Sequence, residues 1–298
     1  MTTFIPVTYH KRRYPPTIIS QIYEIAANFG KESIPSHDRY SLHTEYSFTK
    51  RNVSIDFTKK YPRIAESNYR GIPLLWADTE WAMEFVDFIK DITYGQPDPE
   101  VIEIHPPFMD VCESIDKFLD IYSPFEEKIR KLYPDTTICL ENRSGSQYTK
   151  SKFLISTIDS LTETMTKVNE RGLNLKMAVD YPQLFTAYDM EPRDVSMDWF
   201  EKEHEKLTPF KRMISSVHLW GKLRNPKGRL VAHSGDLNTL FDMDEERKNR
   251  LLNLINDFYD DGICRYFVPE VNSSDSDLQS IMDDCVKAGM MFTGEFYF

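Results

Sequence analysis

Side chains that can bind metal ions stand at the ends of short apolar segments, at nearly regular intervals along the chain. The successive steps from His105 to Glu141, Asp180 and His218 are 36, 39 and 38 residues, a length that suits one strand, one helix and their loops. The full set comprises His43, His105, Glu141, Asp180, His218, His233 and Glu270. A (β/α)8 barrel carries its functional residues at the carboxyl ends of its parallel strands, once per repeat. The interval therefore predicts a barrel fold and a metal site together.

The rest of the chain follows the same alternation of strands and helices. Short runs rich in Ile, Val, Leu and Phe alternate with longer amphipathic segments, which is typical of a parallel sheet with right-handed crossovers. The first strand is predicted at 4–10, the first helix at 16–30 ending on Gly30, and the next strand at 40–46. About eight strand candidates result, and the last segment, 290–298, also fits a tail. We predict an α/β chain of the (β/α)8 TIM barrel class.

The length of the chain fits one such barrel. TIM barrels typically contain about 250 residues, and this chain has 298. Because no linker rich in Pro, Gly or Ser divides it, we predict a single domain over residues 1–298. The long connections 47–75 and 184–205 follow ligand-bearing strands, so they are interpreted as lids or walls of a substrate site.

Composition limits the classes of partner. A net charge of −11 argues against a broad nucleic-acid surface, because phosphate binding relies on Lys and Arg. The N-terminus lacks the apolar run of a signal peptide, and the chain contains no stretch of 18 apolar residues, so we expect a soluble cytoplasmic protein without a membrane partner. His37 and His204 lie in polar, charge-rich stretches and are predicted at the surface.

Four of the strand-end residues form a complete ligand set. Strand ends of a closed barrel converge, so Glu141, Asp180, His218 and Glu270 are predicted to meet around one ion. Three carboxylates and one imidazole suit Mn²⁺, Mg²⁺, Co²⁺ or Zn²⁺. Without a cation the three carboxylates would repel one another strongly. A divalent metal is therefore the expected cofactor.

Five motifs resemble the xylose-isomerase-like TIM barrel superfamily between residues 40 and 275. They are LENRSG, VDYPQ, VHLWGK, HSGDLN and FVPEV. This superfamily contains sugar isomerases and ketose 3-epimerases, inosose dehydratases, and the AP endonucleases of the endonuclease IV type (AP endonuclease family 2). The resemblance implies that Glu141, Asp180, His218 and Glu270 are the four ligands that epimerases and nucleases share.

The resemblance to the nucleases is incomplete. His43 and His105 match their earlier histidines, which would hold a second ion bridged by Glu141. At the third ion of the nucleases, Gln183 stands where they have a histidine and Val231 where they have an aspartate, so that only His233 remains. The departures argue against a third ion.

The sequence therefore favours a metal-dependent isomerase or epimerase that acts on a small sugar or polyol. By resemblance, Glu141 and Glu270 are its catalytic residues and would move a proton through an enediolate. The candidates for contact with the carbohydrate substrate are His233, Arg224, Lys222, Gln183 and Trp220. The alternatives are an endonuclease IV-like phosphodiester hydrolase acting on abasic DNA, the only hypothesis with a nucleic-acid partner, and a metal-binding barrel without catalysis. The oligomeric state stays open.

Overall fold

The computed structural model describes residues 2–44, 53–144 and 150–293. Parts of the predicted segments 40–46, 47–75 and 290–298 lie outside these ranges. The strands are β1 Thr3–Tyr9, β2 Ile22–Ala26, β3 Tyr40–His43, β4 Asn68–Tyr69, β5 Ile72–Pro73, β6 Val101–Ile104, β7 Thr137–Glu141, β8 Lys176–Asp180, β9 Ile214–Leu219, β10 Lys222–Arg224, β11 Leu230–Ala232, β12 Arg265–Pro269 and β13 Met291–Phe292.

The helices occupy most of the connections between the main strands. They are α1 Ile55–Lys60, α2 Pro62–Glu66, α3 Thr79–Ile92, α4 Ile115–Leu132, α5 Ile158–Glu170, α6 Tyr181–Ala187, α7 Met197–His204, α8 Leu237–Leu240, α9 Glu245–Phe258 and α10 Asp275–Lys287, with 3₁₀ helices at Pro192–Asp194 and Glu205–Met213. Within the described residues, no helix has the length and apolar character needed to cross a membrane.

The strand order identifies the fold class. The main sheet has the order β12-β9-β8-β7-β6-β3-β2-β1-β13, and β12 also pairs with β1. Eight parallel strands with helices between them make a (β/α)8 TIM barrel, so the predicted fold class is confirmed.

The chain divides into two compact units. Unit 1 contains residues 1–24 and 178–298, and unit 2 contains residues 25–177. The single-domain organisation stays a prediction.

In unit 1, β12 lies between β1 and β9. Pro6 of β1 is in register with Phe267, and His218 of β9 is in register with Val268. The carboxyl ends of these three strands therefore lie side by side, and Glu270 directly follows the central one.

In unit 2, β6 lies between β3 and β7. His43 of β3 is in register with Glu103, and Ile104 is in register with Leu140 of β7. Behind these strands α3 packs on α4, and α3 begins where the Asp78 side chain accepts a hydrogen bond from the backbone N–H of Trp81.

The predicted helix at 16–30 is wrong, since this stretch contains strand β2. Ile18, Ile22 and Ile25 have helical spacing and are buried, which explains the prediction. In the structure Ile22 instead pairs with Val7 of β1, so a neighbouring strand satisfies the backbone of this β-branched segment. The eight-strand count still holds, because β2 replaces the 290–298 candidate among the main strands.

The predicted surface position of His204 is also wrong. Its side chain is 1% exposed and its Nε2 lies 2.7 Å from the hydroxyl of Tyr181. Phe258 packs edge-on against the imidazole. Lys202 and Glu205, which lie beside His204 in the sequence, are exposed, so the polar composition of this stretch did not indicate the burial of His204.

Candidate metal centre

Four potential ligands of unit 2 lie on three adjacent strands. His43 ends β3 and is in register with Glu103 of β6. His105 directly follows β6, and Glu141 ends β7. Glu103 and His105 are two residues apart, so both side chains leave the sheet on the same face. All four side chains are buried, with at most 2% exposure.

The donor atoms of these four residues converge. The Nε2 atoms of His43 and His105 are 3.1 Å apart. The Oε2 atom of Glu141 lies 2.6 Å from Nε2 of His105 and 3.6 Å from Nε2 of His43. The Oε1 atom of Glu103 lies 3.2 Å from Nε2 of His43.

These separations fit a common divalent ion. Ligand atoms held tetrahedrally at about 2.0–2.1 Å from a metal lie roughly 3.3 Å from one another, and the observed separations scatter around that value. Glu141 supplies a further sign, because its buried Oε1 accepts no hydrogen bond from any residue that the structure describes. Nη1 of Arg143 approaches this oxygen only to 3.7 Å. Two imidazoles and two carboxylates suit zinc, manganese or iron.

The electrostatics of the cluster keep its ligands in metal-binding forms. Burial alone would raise the pKa of the Glu141 carboxyl, but Arg143 and His105 outweigh it and hold the pKa well below its ordinary value. Burial lowers the pKa of His105, and the attraction of Glu141 offsets only part of that effect. A carboxylate and a neutral imidazole are the protonation states that bind metal.

Glu103 is the member of this cluster that the sequence analysis missed. The motif VIEIH drew attention only to its last residue. The signal was present nevertheless, since a glutamate two residues before a candidate ligand on a strand shares its face. A carboxylate in an otherwise apolar buried strand needs a partner, and that requirement marks Glu103 as a functional candidate.

Unit 1 gathers a second set of strand-end ligands. The ligand atoms of Asp180, His218 and Glu270 lie within 4.8 Å of one another. Nδ1 of His218 is 3.4 Å from Oε1 of Glu270, and Nε2 of the same imidazole is 3.2 Å from the hydroxyl of Ser216. Asp180 and His218 are fully buried and Glu270 is 2% exposed. The three residues can supply two carboxylates and one imidazole to an ion.

Trp220 and His233 connect the members of this second set. The indole N–H of Trp220 donates to Oδ2 of Asp180 at 2.8 Å, and its ring stacks on His233 with centroids 4.1 Å apart. Nδ1 of His233 lies 3.1 Å from the carbonyl oxygen of Glu270 and 3.4 Å from its Oε2. His233 has a φ of 56°, a conformation uncommon for a non-glycine residue. Trp220 therefore orients Asp180, a predicted ligand. The Trp220 side chain is only 1% exposed, and its ring already stacks on His233.

The remaining substrate candidates, Gln183, Lys222 and Arg224, also belong to unit 1. The backbone N–H of Gln183 donates to Oδ1 of Asp180 at 2.9 Å. Lys222 is buried, its ammonium donates to the hydroxyl of Thr186 at 2.5 Å, and burial lowers the pKa of this lysine to about 8. Arg224 forms an ion pair with Glu191 and donates to the carbonyl oxygen of Gly228 at 3.0 Å.

The predicted site residues thus appear as two groups, one in each unit. His43 and His105 lie with Glu141 in unit 2, and Asp180 and His218 lie with Glu270 in unit 1. The predicted role of Glu141 as a fourth ligand beside the residues of unit 1 stays a prediction, as do the substrate roles.

Comparison with known proteins bears on the fold. No family model and no curated protein matches the sequence. The structure is similar to the crystal structure of AsfvAP:AG, with a TM-score of 0.53 and 10% identity over 96% of this chain and 97% of that chain. Two further similar structures are a family 2 AP endonuclease from Brucella melitensis (TM-score 0.47, 10% identity, 93% and 97% of the chains) and a xylose isomerase domain protein from Planctomyces limnophilus (0.41, 14%, 94% and 98%).

The chain has the fold of a (β/α)8 TIM barrel. The likeness to AsfvAP:AG extends over nearly the whole of both chains, and at 10% identity it concerns the fold alone. The resemblance predicted from the five motifs is confirmed at that level.

Proposed function

We propose that the chain is a two-metal hydrolase of phosphodiester bonds, with abasic DNA as its first candidate substrate. The observation that carries the proposal is the buried cluster of His43, His105 and Glu141 in unit 2. An enediolate mechanism needs one ion, for which Glu141, Asp180, His218 and Glu270 were predicted as ligands. A second donor set would add a second divalent cation, and its positive charge favours a phosphate substrate over a neutral sugar. This cluster reverses the order of the two candidate functions that the sequence alone favoured.

The residues fit the ions that this chemistry requires. His43, His105 and Glu141 would hold one ion, and Asp180, His218 and Glu270 would hold the other. When bound, divalent ions neutralise the charge of a phosphate group and lower the pKa of bound water. The chain itself keeps the ligands buried and orients Asp180 through the hydrogen bond from Trp220.

The charge distribution of unit 1 supports an anionic substrate. Segments 10–14 and 219–235 contain seven lysines and arginines and no aspartate or glutamate, although the net charge of the chain is −11. They follow β1 and β9, the strands on either side of β12, which leads to Glu270. Arg12 and Arg13 pair with Asp275 and Arg224 pairs with Glu191, whereas Lys11, Lys227 and Arg229 are exposed. Cations beside a metal centre favour phosphate binding.

The test is cleavage of an abasic-site duplex by protein loaded with zinc or manganese. We expect cleavage by the wild type and its loss in His105→Ala, with Glu126→Gln as a control because Glu126 is a buried glutamate on helix α4, outside the cluster. An intact duplex, together with intact bis(p-nitrophenyl) phosphate, under both metals would refute the proposal.

A sugar or polyol epimerase is the second candidate, and the region around His233 favours it. Gln183 and Val231 occupy the positions where ligands of a third ion would be required, and Val231 is 42% exposed. In this alternative Glu141 and Glu270 exchange a proton with a hydroxy-ketone. Incorporation of solvent deuterium into a ketose or inosose, without cleavage of the duplex, would establish this function instead.

A further inference from the structure

The carboxylate of Glu103 belongs to the donor cluster of unit 2 by position as well as by distance. Glu103 is in register with His43 on the neighbouring strand and shares its sheet face with His105. On the other side of β6, Leu140 is in register with Ile104, so Glu141 comes beside His105. The side chains of the four residues are therefore neighbours: Glu103 and His105 on the central strand, His43 on one side and Glu141 on the other.

The distances place Glu103 at ligand range. Its Oε1 atom lies 3.2 Å from Nε2 of His43, which is close to the 3.1 Å between the two histidine Nε2 atoms. Both values approach the separation of roughly 3.3 Å expected between ligands of one tetrahedral ion. The ligand atoms of all four residues, Glu103 included, lie within 4.8 Å of one another.

The charges of the two buried carboxylates also support a shared metal ion. Glu103 and Glu141 are both at most 2% exposed, and two buried carboxylates in one cluster repel each other. Arg143 lies near Glu141, 3.7 Å from its Oε1. A divalent cation bound by both carboxylates would reduce this repulsion and replace the water that burial removes.

We propose that Glu103 is the fourth ligand of the unit 2 ion and closes its coordination shell. Zinc sites with four protein ligands are typically structural, whereas catalytic sites keep one position for water. With four protein ligands the unit 2 ion would serve as a fixed charge, and its coordination shell would have no position for water. The proposal rests on the metal site of the proposed function but not on its phosphodiester chemistry.

The test is the visible spectrum of the cobalt-loaded protein, which reports coordination number. His218→Ala serves as the background because it removes the unit 1 site and leaves only the unit 2 ion. We expect the intense bands of four-coordinate cobalt in this background and a shift of these bands after Glu103→Gln, because water or an amide oxygen replaces the carboxylate. Affinity for the ion should fall by at least the roughly 10- to 100-fold that loss of an outer-shell partner costs.

Glu126→Gln provides the matched control, because Glu126 is a buried glutamate whose carboxylate accepts hydrogen bonds from Asn174 rather than facing the histidines. It should leave the cobalt spectrum unchanged. If Glu103→Gln leaves both the spectrum and the affinity unchanged, the proposal is wrong even where phosphodiester cleavage is observed. If the spectrum changes but no phosphodiester is cleaved, the proposed function fails and the ligand assignment stands.

A measurement without variants guards against misfolding of Glu103→Gln. A crystal structure of the zinc-loaded wild type should place an oxygen of Glu103 about 2.0–2.2 Å from the ion that His43 and His105 bind. A water molecule in that position, with Glu103 beyond bonding distance, would overturn the proposal.

Discussion

Replacing Trp220 by phenylalanine should weaken metal binding at the unit 1 site. The indole N–H donates to Oδ2 of the buried Asp180 at 2.8 Å, and phenylalanine keeps an aromatic ring against His233 while removing that donor. A hydrogen bond to a charged group contributes about 1.5–3 kcal/mol. That range corresponds to roughly a 10- to 150-fold loss of affinity, in line with the effect of removing an outer-shell partner of a metal ligand.

The chain offers a closely matched control for this change. Trp81 has the same 1% exposure, and its indole N–H has no hydrogen-bond acceptor among the described residues. Trp81→Phe therefore makes the same chemical change without removing a hydrogen bond. Zinc affinity would be measured by competition with a chromophoric chelator in a His105→Ala background, so that only the unit 1 ion is titrated. Equal affinities in Trp220→Phe and Trp81→Phe would refute the role assigned to Trp220.

Three further predictions concern stability and charge. Burial lowers the pKa of His204 from 6.5 to about 3. The unfolded chain therefore binds the proton more tightly, and stability is lost as the pH falls below 6.5. In urea unfolding the wild type should lose about 2 kcal/mol more stability than His204→Gln between pH 7 and pH 5, and equal losses would contradict the assignment. Gly221→Ala should cost about 1–3 kcal/mol in the same assay, because its Cβ would lie 2.4 Å from the carbonyl oxygen of Asp236; unchanged stability would show that the backbone yields. Replacing Lys227 and Arg229 by alanine should make the slope of log binding constant against log salt concentration less steep, by about 0.9 for each phosphate that the variant no longer neutralises. An unchanged slope would exclude the two residues from the duplex interface.

The strand ends could be predicted from the sequence because ligand positions and strand periodicity agree there. At Glu141 and Asp180 an apolar run of strand length ends on a carboxylate, which is the pattern expected where a buried parallel strand reaches a functional site. Local periodicity gave a wrong prediction at Ile22, because isoleucines with helical spacing there belong to a strand. Pairing with Val7 decides that conformation, and such a distant partner is not visible in a local pattern.

The composition of the candidate site was only partly predictable. Glu103 could have been found from its spacing to His105, but its contact with His43 depends on the register of two strands 60 residues apart in the sequence. The hydrogen bond from Trp220 to Asp180 depends likewise on side-chain orientation. Register and orientation arise from packing over the whole sheet, so they follow from the structure rather than from the motifs.

The number of metal ions bound per chain tests the central claim most directly. Elemental analysis of protein equilibrated with zinc and freed of excess metal should give two ions per chain in the wild type. The double variant His43→Ala and His105→Ala should retain one, and His218→Ala should also retain one. A wild type with a single ion, or a double variant that still binds two, would contradict the two-site account.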